Sequence, residues 1–92
     1  MVKVQILRWQ EIPSVVEARD GSDVKKIQLS HKFQALIDEV AMREKLAGTD
    51  AYLEEWNKSA VEERDGAAAS VVQEVADELE GRFADIRDAV LK

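Results

Sequence analysis

The first thirty residues alternate. Val2, Val4 and Ile6 fall on one side of an extended chain and Lys3 and Gln5 on the other, the period of 2 of a half-buried strand. Leu7 and Trp9 then move the apolar character to the opposite side, so Val2–Trp9 reads as a central strand whose far end is covered by something else. Pro13 has no N–H to donate and pushes Ile12 toward extended geometry, so a turn or an edge is expected at Glu11-Ile12-Pro13-Ser14. Ser14–Arg19 reads as a second strand and Val24–Leu29 as a third. Between them Asp20-Gly21-Ser22-Asp23 is a strong reversal signal. The three strands are expected to form an antiparallel meander.

From residue 30 the period changes. Ser30 is a suitable N-cap, and Phe33, Leu36, Ile37, Val40 and Ala41 repeat at helical spacing, giving one core-facing stripe. Met42 and Leu46 lie off that stripe, where a second helix could meet them. Gly48 fits the left-handed position that ends many helices. Thr49 or Asp50 would cap a restart, with Tyr52, Leu53 and Trp56 on its inner side. Ser59–Arg64 reads equally as an edge strand or an exposed loop, and Asp65-Gly66 as a turn.

Ala67–Lys92 carries one long helical pattern. Val72, Ala76, Leu79, Phe83, Ile86 and Val90 recur in steps of 4, 3, 4, 3, 4, an a/d register. A straight helix of that length would run ~39 Å, against a width of ~30 Å for a compact domain of this size. The helix must therefore overhang or bend, and Gly81 is its weakest point at ~1 kcal/mol relative to alanine. The whole pattern predicts a single α+β domain over residues 1–92: a three-stranded antiparallel sheet, with room for a fourth edge strand, packed against two to three helices.

Composition narrows the chemistry. The chain has no cysteine, which excludes disulfides and thiolate metal sites. No apolar run approaches ~20 residues, so no membrane span is expected, and no secretory signal is visible; a cytoplasmic protein is expected. The net charge of −6 is uneven: residues 1–45 hold eight Lys/Arg against seven Asp/Glu, and residues 46–92 five against twelve. The acidic half disfavours a phosphate backbone. The two short helices around Gly48 could form a helix–turn–helix, but Asp50, Glu54 and Glu55 precede the first cation of the second helix, Lys58, so no nucleic-acid partner is expected.

No catalytic set emerges. His31 is the only histidine and has no second ligand for a metal. Glu54/Glu55, Glu62/Glu63 and the run Asp77, Glu78 and Glu80 are read as a solvated acidic face, because adjacent helix residues diverge. The four glycines are isolated and form no phosphate loop. No cofactor is expected. The a/d seam has two readings: a self-association or partner surface beyond Gly81, or a face packed wholly on the sheet. Trp9 likewise reads as either interface anchor or core.

Trp9-Gln10-Glu11-Ile12-Pro13, Ala41-Met42-Arg43 and Gly48-Thr49-Asp50-Ala51-Tyr52-Leu53-Glu54-Glu55-Trp56 together resemble the small bacterial domain family called "virulence factor", over roughly residues 2–64. The chain departs from that pattern at Gln10-Glu11, where the family has Arg-Asp. The resemblance implies relatives both as a segment of a larger staphylococcal protein, beside an iron–sulphur-scaffold-like domain, and as stand-alone chains near one-carbon and cobalamin-dependent methyl-transfer genes. It implies no catalytic residues.

The leading expectation is a non-enzymatic interaction module with a protein partner. Its first expected surface is the end of the first strand, Arg8, Trp9, Ile12 and Pro13, and its second is Phe83, Ile86 and Val90. Implied by the resemblance alone is an accessory subunit of a methyl-transfer or iron–sulphur system that touches the ligand. A weak homodimer on the last helix is the third reading.

Overall fold

The computed structural model describes residues 1–91; Lys92, the last residue of the long helical pattern, lies outside them. Strands β1 (Val2–Trp9), β2 (Ile12–Asp20) and β3 (Asp23–Gln28) form the expected antiparallel meander. Two further three-residue strands, β4 (Trp56–Lys58) and β5 (Glu62–Arg64), both pair antiparallel with the free edge of β1. Of the ambiguous stretch Ser59–Arg64 only Glu62–Arg64 is strand, and Ala60 and Val61 are not; with β4 the sheet has five strands rather than three or four. Ser59 bridges the two pieces: its N–H donates to the Ile6 carbonyl and its hydroxyl accepts from the Ile6 N–H, both at 2.9 Å.

The expected break at Pro13 is milder than a turn. β2 begins at Ile12, and the reversal is made by Gln10 and Glu11, with Gln10 at φ 54°. Pro13 is accommodated because β3 begins pairing only at Val15, and because the β1–β2 register slips there. Leu7 faces Val15 and Arg8 faces Pro13, which leaves Ser14 as the extra residue of a β-bulge. The Ser14 carbonyl instead accepts from Leu29 N–H at 2.9 Å.

Helix α1 (His31–Arg43) buries Phe33, Leu36, Ile37, Val40 and Ala41, as its stripe predicts. It stops earlier than expected. Lys45, at φ 60°, takes the left-handed position that ends the helix; Gly48 is left-handed as expected, at φ 77°, but in the turn that follows. Leu46 N–H donates to the Ala41 carbonyl at 2.8 Å and Lys45 N–H to that of Met42 at 3.2 Å, the paired bonds of a Schellman motif. Thr49 caps the five-residue helix α2 (Asp50–Glu54), accepting from Tyr52 N–H. Trp56 falls outside that helix, in β4. The expected meeting of Met42 with α2 and the inward Leu53 are corrected, since these side chains are 69% and 65% exposed.

The long final helix bends. α3 (Ala68–Gly81) buries Val71, Val72, Val75 and Ala76 against the sheet, chiefly over β2 and β3. After Arg82 the chain restarts as α4 (Phe83–Val90), which packs against α1. Phe83 meets Phe33 edge to face at 5.0 Å. The overhang predicted for a straight helix therefore does not occur, and Phe83, Ile86 and Val90 lie half-buried against the core.

The acidic residues are not merely a solvated face. Glu80 on α3 clamps the start of α1, one carboxylate oxygen accepting from Ser30 N–H and the other from its hydroxyl, each at 2.7 Å, with Lys32 at 3.7 Å. Ser30 therefore makes no side-chain cap of its own. Arg64 on β5 pairs with Glu62 (3.0 Å), Glu74 (3.4 Å) and Glu78 (2.7 Å), tying the short strand to α3.

Two outcomes follow from the helix ends. Replacing Lys45 by glycine, which is at ease in the left-handed region, is expected to raise stability by roughly 0.5–1 kcal/mol in urea unfolding. At Glu80, burial raises the carboxyl pKa, but the two Ser30 bonds and Lys32 outweigh it and hold the pKa below its ordinary 4.5. A depressed folded pKa stabilises the fold above the unfolded value, and that contribution is lost as pH falls through the folded value. The melting temperatures of wild type and Glu80→Gln are thus expected to differ at pH 6 and to converge below pH 4.5.

Candidate functional site

The end of β1 sorts its residues into two environments. Trp9 and Ile12 are fully buried. Trp9 has the opposite parity to Val2 and Val4, yet it is covered, because Tyr52 lies over it with ring centroids 5.4 Å apart. Its indole N–H donates to the Tyr52 carbonyl at 2.8 Å. Tyr52 in turn meets Trp56 edge to face at 6.4 Å. This corrects the expectation of exposed anchors at Trp9, Ile12 and Pro13: Trp9 and Ile12 are core, and Pro13 is buried as well, showing only an edge to the cleft described below.

Arg8 differs. It is half-buried, and its Nε donates to Asn57 Oδ1 at 2.6 Å. Asn57 is itself fixed, its amide donating to the carbonyls of Gln10 (3.2 Å) and Glu55 (3.1 Å). The Asn57 oxygen is thereby aimed at Arg8 and orients the guanidinium. Arg8 makes no ion pair with any carboxylate among the described residues.

Arg8 lines an open cleft of about 290 Å³ with Ile6, Glu11, Pro13, Leu79, Arg82 and Ile86. Residues predicted on two separate surfaces, Arg8 and Pro13 on the first and Ile86 on the second, are brought together here. Ile6, Pro13, Leu79 and Ile86 give apolar walls, and Arg8 and Arg82 put two cations opposite the single carboxylate of Glu11. Arg82 is exposed at the α3–α4 break; it lies near enough to Glu78 to help lower that carboxyl's pKa, a shift led by the Arg64 hydrogen bond, but makes no ion pair. Phe83 and Val90, from the second predicted patch, point elsewhere in the packing: Phe83 lines a different groove, of about 440 Å³, between α1 and α4. The cations of that groove are already matched, Lys32 by Glu80 and Arg87 by Asp88 at 3.3 Å.

Sequence reasoning missed Ile6, Leu79, Arg82 and Asn57. Ile6 and Leu79 read simply as core positions. The one usable signal was Arg82, a cation in a strongly acidic stretch beside the glycine where the helix was expected to give way. Among the described residues no group of three His, Asp or Glu side chains could hold a metal ion, and no helix is long and apolar enough to cross a membrane.

A family model described as "Virulence factor" matches residues 7–91, so the likeness extends past Arg64 through both terminal helices. No curated protein and no solved structure matches the chain.

The two environments separate in mutation. Trp9→Ala removes a fully buried indole and its hydrogen bond, and is expected to cost about 3–5 kcal/mol, a large part of the stability of a domain this size. Arg82→Gln, at an exposed position, is expected to change stability by less than about 0.5 kcal/mol. Denaturant unfolding of the two variants checks both.

Proposed function

Since the chain belongs to the virulence factor family, a description that specifies no chemistry, we propose that it is a non-enzymatic accessory module that binds a protein partner through the cleft between β1, the Gln10-Glu11 turn and the α3–α4 break. The observation that carries this reading is the meeting, in one open cleft, of apolar walls with two arginines that have no ion-pair partner among the described residues. Apolar surface with arginine is the composition in which interface hot spots are enriched. At about 290 Å³ the cleft lies at the lower edge of the ~300–1,000 Å³ of typical small-molecule pockets, a size that suits one or two inserted side chains.

Affinity capture from a lysate of the source organism tests it, with wild-type bait beside Arg82→Glu and Ile86→Ser baits verified as folded. One protein retained by wild type and lost from both variants is the expected result. A partner held equally by all three baits would remove the cleft, and turnover of a metabolite by the pure protein would remove the module.

A further inference from the structure

Five surface features compete for a ligand, one of them a groove on the sheet face lined by Lys3, Lys58 and Val61 beside the paired Glu17 and Arg19. The groove between α1 and α4 has its cations matched internally. On the open sheet face the depression beside Leu7 and Val15 contains Glu17, already paired with Arg19 at 3.0 Å and Lys26 at 3.8 Å. The groove beside Met42 and Tyr52 is apolar, and nothing about it specifies an occupant. Lys3 and Lys58 on the sheet face also make no ion pair among the described residues, but the Arg8–Arg82 cleft alone couples apolar walls to an unpaired guanidinium held in place by a neighbouring side chain.

Resting on the cleft reading above, we infer that the occupant is an acidic segment of a partner polypeptide, in which a carboxylate engages Arg8 and Arg82 while a neighbouring apolar side chain lies against Ile6, Pro13, Leu79 and Ile86. The guanidinium geometry carries this. Asn57 takes the Arg8 Nε–H at 2.6 Å and is held by two backbone carbonyls, so the side chain is oriented before any ligand arrives. The terminal nitrogens of Arg8 make no hydrogen bond to a described residue, and a planar fork of that kind matches a carboxylate. Arg82 adds a second positive charge across the cleft. Glu11 at the rim repels a second carboxylate, so the segment carries one acidic group at this point rather than a run of them. The net charge of −6 opposes long-range attraction of acidic chains, but it is screened beyond ~8–10 Å at physiological salt, and the two guanidiniums dominate at contact.

Three capped tripeptide probes distinguish the outcomes: acetyl-Leu-Glu-Leu amide, its Gln isostere and its Lys counterpart, titrated into the ¹⁵N-labelled protein. The Glu probe is expected to move the Nε–Hε signals of Arg8 and Arg82 and the amides of Ile6, Glu11 and Ile86 saturably. The Gln probe is expected to bind about tenfold more weakly or worse, as is the Glu probe to Arg82→Gln, whose exposed position leaves the fold intact. Equal binding of the Glu and Gln probes in the cleft would overturn the carboxylate while leaving the cleft as a polypeptide site. Preference for the Lys probe, or shifts confined to Lys3 and Lys58 on the sheet face, would overturn it as well. No response of the cleft to any probe would overturn both this inference and the reading it rests on.

Discussion

The structure depends on how one indole is put away. Trp9 ends the central strand on the side of the sheet away from Val2 and Val4, and an uncovered indole there would leave the largest side chain of the strand in water. Tyr52 closes over it and takes its N–H on a backbone carbonyl. That contact fixes α2, and α2 sets where Trp56 enters β4 against β1. The first strand's free edge is paired as a result, and Asn57, one residue on, arrives opposite Arg8. Burial of the tryptophan and orientation of the arginine beside it are thus consequences of one packing choice.

Charge has a different part from the one its composition suggests. The acidic helix works as a set of staples. Glu80 holds the start of α1 from fifty residues away in sequence, and Glu74 and Glu78 hold β5 through Arg64. Each exposed pair contributes little alone. Their value lies in placement, because β5 is three residues long and α1 lacks a side-chain cap of its own. With these carboxylates engaged internally, the arginines of the cleft are left over.

Period was the legible signal. The alternation of β1, the Asp20–Asp23 reversal, the stripe of α1 and the weakness at Gly81 all read directly, because each is set by local sequence. The illegible parts were set by partners distant along the chain. β4 and β5 are too short to show a period, and exist because β1 offers them an edge. Lys45 displaced Gly48 at the helix end because Leu46 is drawn in against the core, which fixes the turn three residues early. Trp9 could be read as surface or core because its cover, Tyr52, lies forty-three positions away. The candidate site was half-visible for the same reason: Arg8, Pro13 and Ile86 were named, but their meeting needed the bulge at Ser14 and the bend at Arg82 together.

The bend has one more consequence. α4 has no fully buried residue, whereas α3 has five. The last eight-residue helix is therefore a segment that opens at a free energy below that of global unfolding. Ile86, one wall of the cleft, leaves with it. The cleft exists only while α4 is docked, so occupancy and docking are a single linked equilibrium: whatever fills the cleft lengthens the life of the closed helix by mass action, and whatever frays the chain terminus empties the cleft.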